Sequence, residues 1–461
     1  MKNGGLHGFS NSSSYIFALN KSFIFIFLFI PTILMAQENQ KLTLDELIKI
    51  AYLNQPALRM SMMEREIIDN NVKSSLSGWL PQAGLEADYF RYFEQPVAIF
   101  PDFNNPESGA VQEVRTGVPF NSNLNFFLNQ SIVNNDLFRA KGQANYLRAS
   151  AEQNLELVKI DLNVNTSKAF YEALLSQEEI RIRQEDIQRQ ERQLKDARSL
   201  YEVGISDNID YKRASIALQN SRSALFQAKE QFQVSMARLK ELAGLPRETQ
   251  LELDYDLNTL ISQVQMDTLE GVDYERRFET QYLISQKNIQ EAELAFSRRA
   301  FLPNIDAFFN YNIIYQTLDG SQLFNTAFPN SLAGFRMAFP IFQGGRRNFE
   351  IRAADLQLRQ LEVAQSELQL QINREHQEAL STYKSYLYEW KIQGEIKETA
   401  EEIYNTISLQ YEEGVKNFLE VIQAETDLRT SRINYINALF RLMASKMDLL
   451  RARGEIQTEE I

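Results

Sequence analysis

Asn123-Leu124-Asn125-Phe126-Phe127-Leu128-Asn129-Gln130 is the stretch whose reading decides the fold. Successive side chains of a β-strand point to opposite faces, so Leu124, Phe126 and Leu128 share one face, and Asn123, Asn125 and Asn129 the other. Phe335, Met337, Phe339 and Ile341 repeat the pattern opposite Gly334 and Arg336. Alternation over about ten residues is the length and pattern of a strand with lipid on one face and water on the other. A soluble antiparallel sheet with one wet face has the same alternation. Residues 83–93 and 305–316 read as two further strands. Their Tyr89, Phe90, Tyr92, Phe93, Phe308, Phe309, Tyr311 and Tyr315 suit an interfacial aromatic girdle. Four strands cannot close a barrel, and open edges are not tolerated in lipid, so several chains must share one barrel.

Outward from the strands lie two very long helical stretches, about Asp136 to Val203 and Arg346 to Glu413. Neither contains proline, and each has a single interior glycine, Gly142 or Gly394. At 1.5 Å per residue each spans on the order of 100 Å, beyond any ordinary globular domain. Residues 43–77, 209–243, 274–300 and 418–453 read as helices of about half that length, so two can stack end to end beside one long helix. Ala173, Ile180, Ile187, Leu194 and Tyr201 recur every seven residues with charge between them. Such a narrow seam fits a helix wet on two sides, as in a wall between aqueous spaces, and equally a long coiled coil.

The chain is internally duplicated. Leu80-Pro81 returns as Leu302-Pro303, a shift of 222, and Tyr201-Glu202-Val203-Gly204 returns as Tyr411-Glu412-Glu413-Gly414, a shift of 210. The second register holds through Leu218/Leu428, Ser221/Ser431 and Arg222/Arg432. The difference of 12 residues is assigned to the loop 94–120, longer than its counterpart 317–331. The organisation is thus a first repeat over 37–243, a connector over 244–273, a second repeat over 274–453 and a tail over 454–461. Residues 1–36 read as an export signal: Lys21 precedes the apolar run Phe23 to Ile30, and Ala36 offers a small residue before the cut. That run is too short to cross a bilayer.

Composition narrows the chemistry. The 461 residues contain no cysteine, which excludes disulfides, thiolate metal sites and lipid attachment at a thiol. Of two histidines, His7 lies in the export signal and His376 mid-helix between Glu375 and Gln377, where it reads as a solvated residue. No phosphate loop, nucleophile elbow or paired metal ligands occur. No enzyme activity or cofactor is expected. Lys and Arg number 48 against 61 Asp and Glu, a net charge of −13 that argues against nucleic acid as a partner. Loss of Lys2 and Lys21 with the signal takes it to −15, and a pore of that charge would favour cations.

Leu42-Thr43-Leu44-Asp45-Glu46-Leu47, Asn54-Gln55-Pro56-Ala57-Leu58, the two Leu-Pro junctions, Pro340-Ile341-Phe342-Gln343-Gly344-Gly345-Arg346-Arg347 and the paired Tyr-x-x-Gly turns occur in order and duplicated. Together they resemble the TolC-like outer-membrane efflux protein family over essentially the whole mature length. Only the first-copy junction, Ser131 to Asp136, departs from the pattern.

The resemblance implies a homotrimer in outer-membrane lipid. Its twelve-stranded β-barrel would continue into a twelve-helix periplasmic α-barrel. The function implied is the exit duct of a tripartite efflux or type I secretion system, driven by an inner-membrane transporter through a periplasmic adaptor. A periplasmic coiled-coil or adaptor protein without a pore is the alternative. The resemblance also implies a periplasmic gate at Tyr411, Lys416, Glu420 and Asp210, with Gln423 where the family has a second acid. Adaptor contacts are implied at Val203, Gly204, Ile205, Gly414 and Val415. Helix capping competes with the gate reading, because Asn417 with Glu420, and Asp207 with Asp210, have capping spacing. For Gly204 and Gly414 the competing role is termination of a helix.

Overall fold

The computed structural model describes residues 41–101, 109, 111–204, 207–264 and 271–458; the export signal and Ile205 lie outside them. Strand β1 (Lys41–Leu42) leads into α1 (Leu44–Asn54), whose N-terminus is closed by a reciprocal Thr43–Glu46 capping box. The single helix expected over 43–77 is broken. Pro56 drives Gln55 into an extended conformation, with ψ 120°, and occupies the first position of α2 (Pro56–Leu76), where its missing N–H is harmless.

Strand β2 (Gln82–Arg91) follows, then a two-stranded ribbon of β3 (Val97–Pro101) and β4 (Val111–Arg115), then β5 (Phe120–Val133). The longer first loop therefore contains an antiparallel ribbon. The 68-residue α3 (Asn135–Glu202) is capped by Asn134, whose side chain accepts from the backbone N–H of Asp136 and Leu137. Helix α4 (Asn208–Leu242) returns alongside. The connector holds β6 (Glu252–Leu253), parallel to β1, and the short α5 (Leu257–Ser262). The second repeat is α6 (Phe278–Arg299), β7 (Asn304–Thr317), β8 (Ala327–Ala338), the 67-residue α7 (Arg346–Glu412) and α8 (Phe418–Arg453).

Each long helix has half-length helices beside it, as length arithmetic requires. α3 packs against α2 and α4 on one side and against α6 and α8 on the other, and α7 completes the row beyond α6 and α8. Strand order matches helix order. The sheet runs β2-β5-β7-β8, all antiparallel, above α2-α3-α6-α7. Ion pairs obey the 210-residue repeat: Arg222 meets Glu191 at 2.8 Å, and Arg432 meets Glu401 at 2.9 Å. The main core lies at mid-height, where Phe170, Leu174, Leu239, Leu439 and Leu442 pack with fully buried Tyr383. The Tyr383 hydroxyl donates to the Val264 carbonyl at 2.8 Å, tying α7 to the connector.

Register puts Phe126 between Leu85 and Tyr311, and Leu128 between Ala83 and Phe309. One sheet face is thus apolar across strands. The opposite face carries a row Glu86–Asn125–Asn312–Asn330, in which the Asn312 amide donates to Asn330 at 3.0 Å. Phe335 and Met337 extend the apolar face of β8, but the strand stops at Ala338, so Phe339 and Ile341 lie beyond it. Pro340, which has no N–H to give a ladder, stands between them.

Two phenylalanines sit on the polar face, each beside a glycine: Phe127 pairs with Gly84, and Phe308 with Gly334. A Cβ at Gly84 would lie 2.3 Å from Cζ of Phe127, so the ring needs the missing side chain to lie against the sheet. Gly84→Val is expected to destabilise the folded protein by roughly 1–3 kcal/mol. Thermal unfolding followed by circular dichroism checks this, and Phe127→Ala in the same chain should recover part of the loss.

Candidate functional site at the hairpin tips

Both α3–α4 and α7–α8 reverse through glycine in the left-handed region, Gly204 and Gly414 each at φ 75°. Gly414 N–H donates to Tyr411 O at 2.9 Å and Val415 N–H to Gln410 O at 2.8 Å, which occupies the last carbonyls of α7. Val203 and Val415 are exposed on the two turns. Among the described residues nothing crowds either glycine, so φ alone demands glycine there.

Tyr411, Asp210, Lys416 and Glu420 gather at these tips. The Tyr411 ring packs on Phe418 with centroids 5.8 Å apart, inside a cluster holding Ala197 and Ala214 of the first hairpin and Ile422 of the second. Burial first, and then the charges of Asp210 and Asp196, push the Tyr411 hydroxyl above its ordinary pKa. Tyr411 therefore faces the first hairpin and its acid. Lys416 Nζ donates to Glu420 Oε2 at 2.6 Å, both side chains about one third exposed.

Asn417 is the α8 cap and accepts from Glu420 N–H at 3.1 Å, while the Glu420 carboxylate turns to Lys416. The reciprocal capping box is thus half made, by Asn417 alone. Asp207 likewise caps α4, accepting from Ile209 N–H at 3.3 Å.

Above the tips lies a cluster that the apolar-seam reading missed. The seam residues Ile180, Ile187 and Leu194 are only half-buried, and the deeply buried line of lower α3 is Glu178, Ile182, Asp186 and Gln190. Asp186 accepts from Arg429 Nη1 and Ser221 Oγ, each at 3.1 Å, and from Gln190 Nε2 at 3.4 Å. Arg189 Nε reaches back to Glu425 of α8 at 3.3 Å. Burial, reinforced by the Asp186 charge, pushes the Glu425 carboxyl up to about 7. Such residues look solvated in a charged run; the only sequence signal is their i, i+4 spacing from Ile182. His376 also departs from expectation: it is half-buried, its Nε2 has no hydrogen-bond partner among the described residues, and burial and Arg453 lower its pKa.

Two trains of long helices joined to an amphipathic sheet, with both chain reversals at one end, define a membrane-attached helical wall. A family model described as outer membrane efflux protein matches residues 47–245 and 285–455, and the chain belongs to that family. It is 22% identical over 361 residues to the cation efflux system protein CusC of Escherichia coli O157:H7, covering 76% of this chain and 74% of that one. Against outer membrane protein TolC of Escherichia coli K12 the identity is 22% over 437 residues, covering 89% and 82%.

Among solved structures, a membrane protein from Pseudomonas aeruginosa aligns with a TM-score of 0.70 at 18% identity, covering 89% of this chain and 93% of that one. The open-state MtrE outer membrane channel of Neisseria gonorrhoeae gives a TM-score of 0.69 at 16% identity, covering 89% and 88%. The fold is that of these TolC-like channels, and the protein is an outer-membrane efflux channel whose helices extend into the periplasm.

The divided roles at the α8 terminus give distinct expectations. Asn417→Ala should lower stability by about 1 kcal/mol through the lost cap. Glu420→Gln, which removes only an exposed ion pair, should lower it by less than about 1 kcal/mol. Chemical denaturation of the two variants measures the difference.

Proposed function

We propose that three copies of this chain close into one conduit, serving as the exit duct of a tripartite efflux or secretion assembly. The observation that carries this reading is the pair of unfinished edges. Among the described residues no strand pairs with the outer edges of β2 and β8, on opposite sides of the sheet, and α2 and α7 border the same two sides below. On α7, Phe349, Leu356, Val363 and Leu370 recur every seven residues, each at least 64% exposed. On the opposite border Leu53, Met60 and Ile67 recur at the same interval and are also exposed. Matched heptads interdigitate as knobs into holes. One rotation that joins β8 to the next chain's β2 also joins α7 to its α2, and a repeated head-to-tail contact closes a ring.

In this assembly Leu124, Phe126, Leu128, Phe335 and Met337 face lipid, and the Glu86–Asn330 row faces the lumen. Phe339 and Ile341 mark the periplasmic boundary. The tips form the periplasmic entrance. Tyr411 against Asp210, and Lys416 against Glu420, hold it narrow, and three Glu420 carboxylates give it a preference for cations. Exposed Val203 and Val415, with Gly204, Ile205 and Gly414, meet a periplasmic adaptor that links the duct to an inner-membrane pump. Relatives carry names for cation efflux and for toluene efflux, so the shared feature is the conduit and not one solute.

Phe126→Asp places a charge in lipid at a few kcal/mol, and the outer-membrane fraction should be depleted of heat-modifiable trimer. Normal trimer yield would reverse the assigned face. In planar bilayers, Lys416→Ala combined with Tyr411→Phe should raise single-channel conductance, and Glu420→Ala should reduce cation preference measured from reversal potentials. Parental conductance and selectivity in both would remove the tip residues from the gate.

A further inference from the structure

The buried ionic cluster joins the two hairpins reciprocally. Helix α3 supplies an acid to an α8 arginine, Asp186 to Arg429 at 3.1 Å, and an arginine to an α8 acid, Arg189 to Glu425 at 3.3 Å. Asp186 is 1% exposed and Glu425 2%. Arg189 lies 13 residues before the end of α3, and Glu425 seven residues inside α8. The brace thus stands roughly 10–20 Å from the two turns, with the Phe418–Tyr411 cluster between.

Resting on the conduit reading above, we propose that Asp186, Arg189, Glu425 and Arg429 are positioning residues of the periplasmic entrance. They brace the second hairpin against the first, and the hairpins separate only when these charges return to water.

The physical reason is the asymmetry between accepting and losing charge in a low-dielectric site. Paired and hydrogen-bonded, two acids and two arginines balance. A hairpin that swings away leaves each charge without its partner unless water enters. An all-apolar contact could slide by degrees, whereas a reciprocal ionic one has two distinct states, engaged and hydrated.

The two acids are not equivalent. Asp186 draws donors from three helices: Arg429 of α8, Ser221 of α4, and Arg189 and Gln190 of α3. Glu425 has the charge of Arg189 and hydrogen bonds from Gln193 and Arg189, while burial and the Asp186 charge oppose its ionisation. Around it, α3 also brings Arg183, Glu185 and Arg192. α4 brings Arg213, α7 brings Tyr404 and Glu401, and α8 adds Arg432. Arg183 is engaged by Glu179, and Arg432 by Glu185 and Glu401. These pairings leave Glu425 as the member of the brace that titrates near neutrality.

The sign follows from where the proton is held more tightly. The engaged Glu425 titrates near 7, against an ordinary 4.5. Proton uptake therefore favours the engaged brace, with its stabilisation complete below about 4.5 and lost as pH rises through 7. The engaged state is favoured in acid, and separation becomes easier above neutrality. From pH 5.5 to 8 the separated-to-engaged ratio should rise on the order of tenfold per protomer.

The test is single-channel recording of the purified full-length protein in planar bilayers between pH 5.5 and 8, with thermal unfolding in parallel. The parent should open more often as pH rises, with a midpoint near 7. Glu425→Gln, neutral at every pH, should lose this dependence and stay at the low-pH level. Asp186→Asn, which removes the principal acceptor, should open more often throughout. A parent insensitive to pH overturns the proposal, as does Glu425→Gln retaining the parental profile. So does a set of variants that lose thermal stability without any change in opening, since that is the mark of a purely structural cluster. If no protein in the set forms channels, the conduit reading itself falls, and this inference with it.

Discussion

A backbone N–H or C=O left unpaired in hydrocarbon costs several kcal/mol, and that constraint governs the rest of this molecule. The four strands pair perfectly well with one another, yet β2 and β8 each present an open edge. Both edges belong to a sheet with one apolar face, and in the proposed conduit another copy of the chain satisfies them. Everything below inherits the requirement, because each strand continues directly into the helix beneath it and the lateral order is the same in both layers.

The helical wall solves a different problem with the same geometry. A 68-residue helix that is wet on two sides can bury only its lateral contacts, and α3 does so against five shorter helices, α1, α2, α4, α6 and α8. α7, at the border, buries just Ala354, Ile372 and Tyr383. That contrast between two sequence-related helices is a consequence of position. The helix in the middle of the row has neighbours on both sides, and the one at the end has an exposed heptad seam.

The contact between the two hairpins changes character along its length. At mid-height the contact is made by leucine, phenylalanine and tyrosine, which favour a permanent junction. Toward the tips, the same α3–α8 interface changes to Asp186, Arg189, Glu425 and Arg429. A fixed apolar equator with an ionic lower interface divides the wall into a part that stays put and a part with two available states. Tyr411 and Lys416 lie at the end of the second part, and Glu425 lies on the way to them.

Much of this was legible from sequence because it depends on periodicity. Alternation gave the faces of β5 and β8, the absence of proline gave the long helices within a residue or so, and the shifts of 222 and 210 gave the duplication. Gly204 and Gly414 were readable as chain reversals because only a residue without Cβ takes φ near +75° freely. The missed features all depend on what stands opposite. Pro56 broke a helix that its apolar pattern continued through, because a local steric rule outweighs periodicity. Pro340 ended β8 before Phe339. Asp186 and Glu425 lie 239 residues apart and are charged, so each alone reads as solvent-facing. Only packing α8 against α3 and α4 buries both, each beside an arginine of the other helix. Sequence determined the elements and the faces they present, since those are set within a few residues of chain. The tertiary structure decided which faces meet, and hence which charges leave water, since desolvation depends on neighbours distant in the chain.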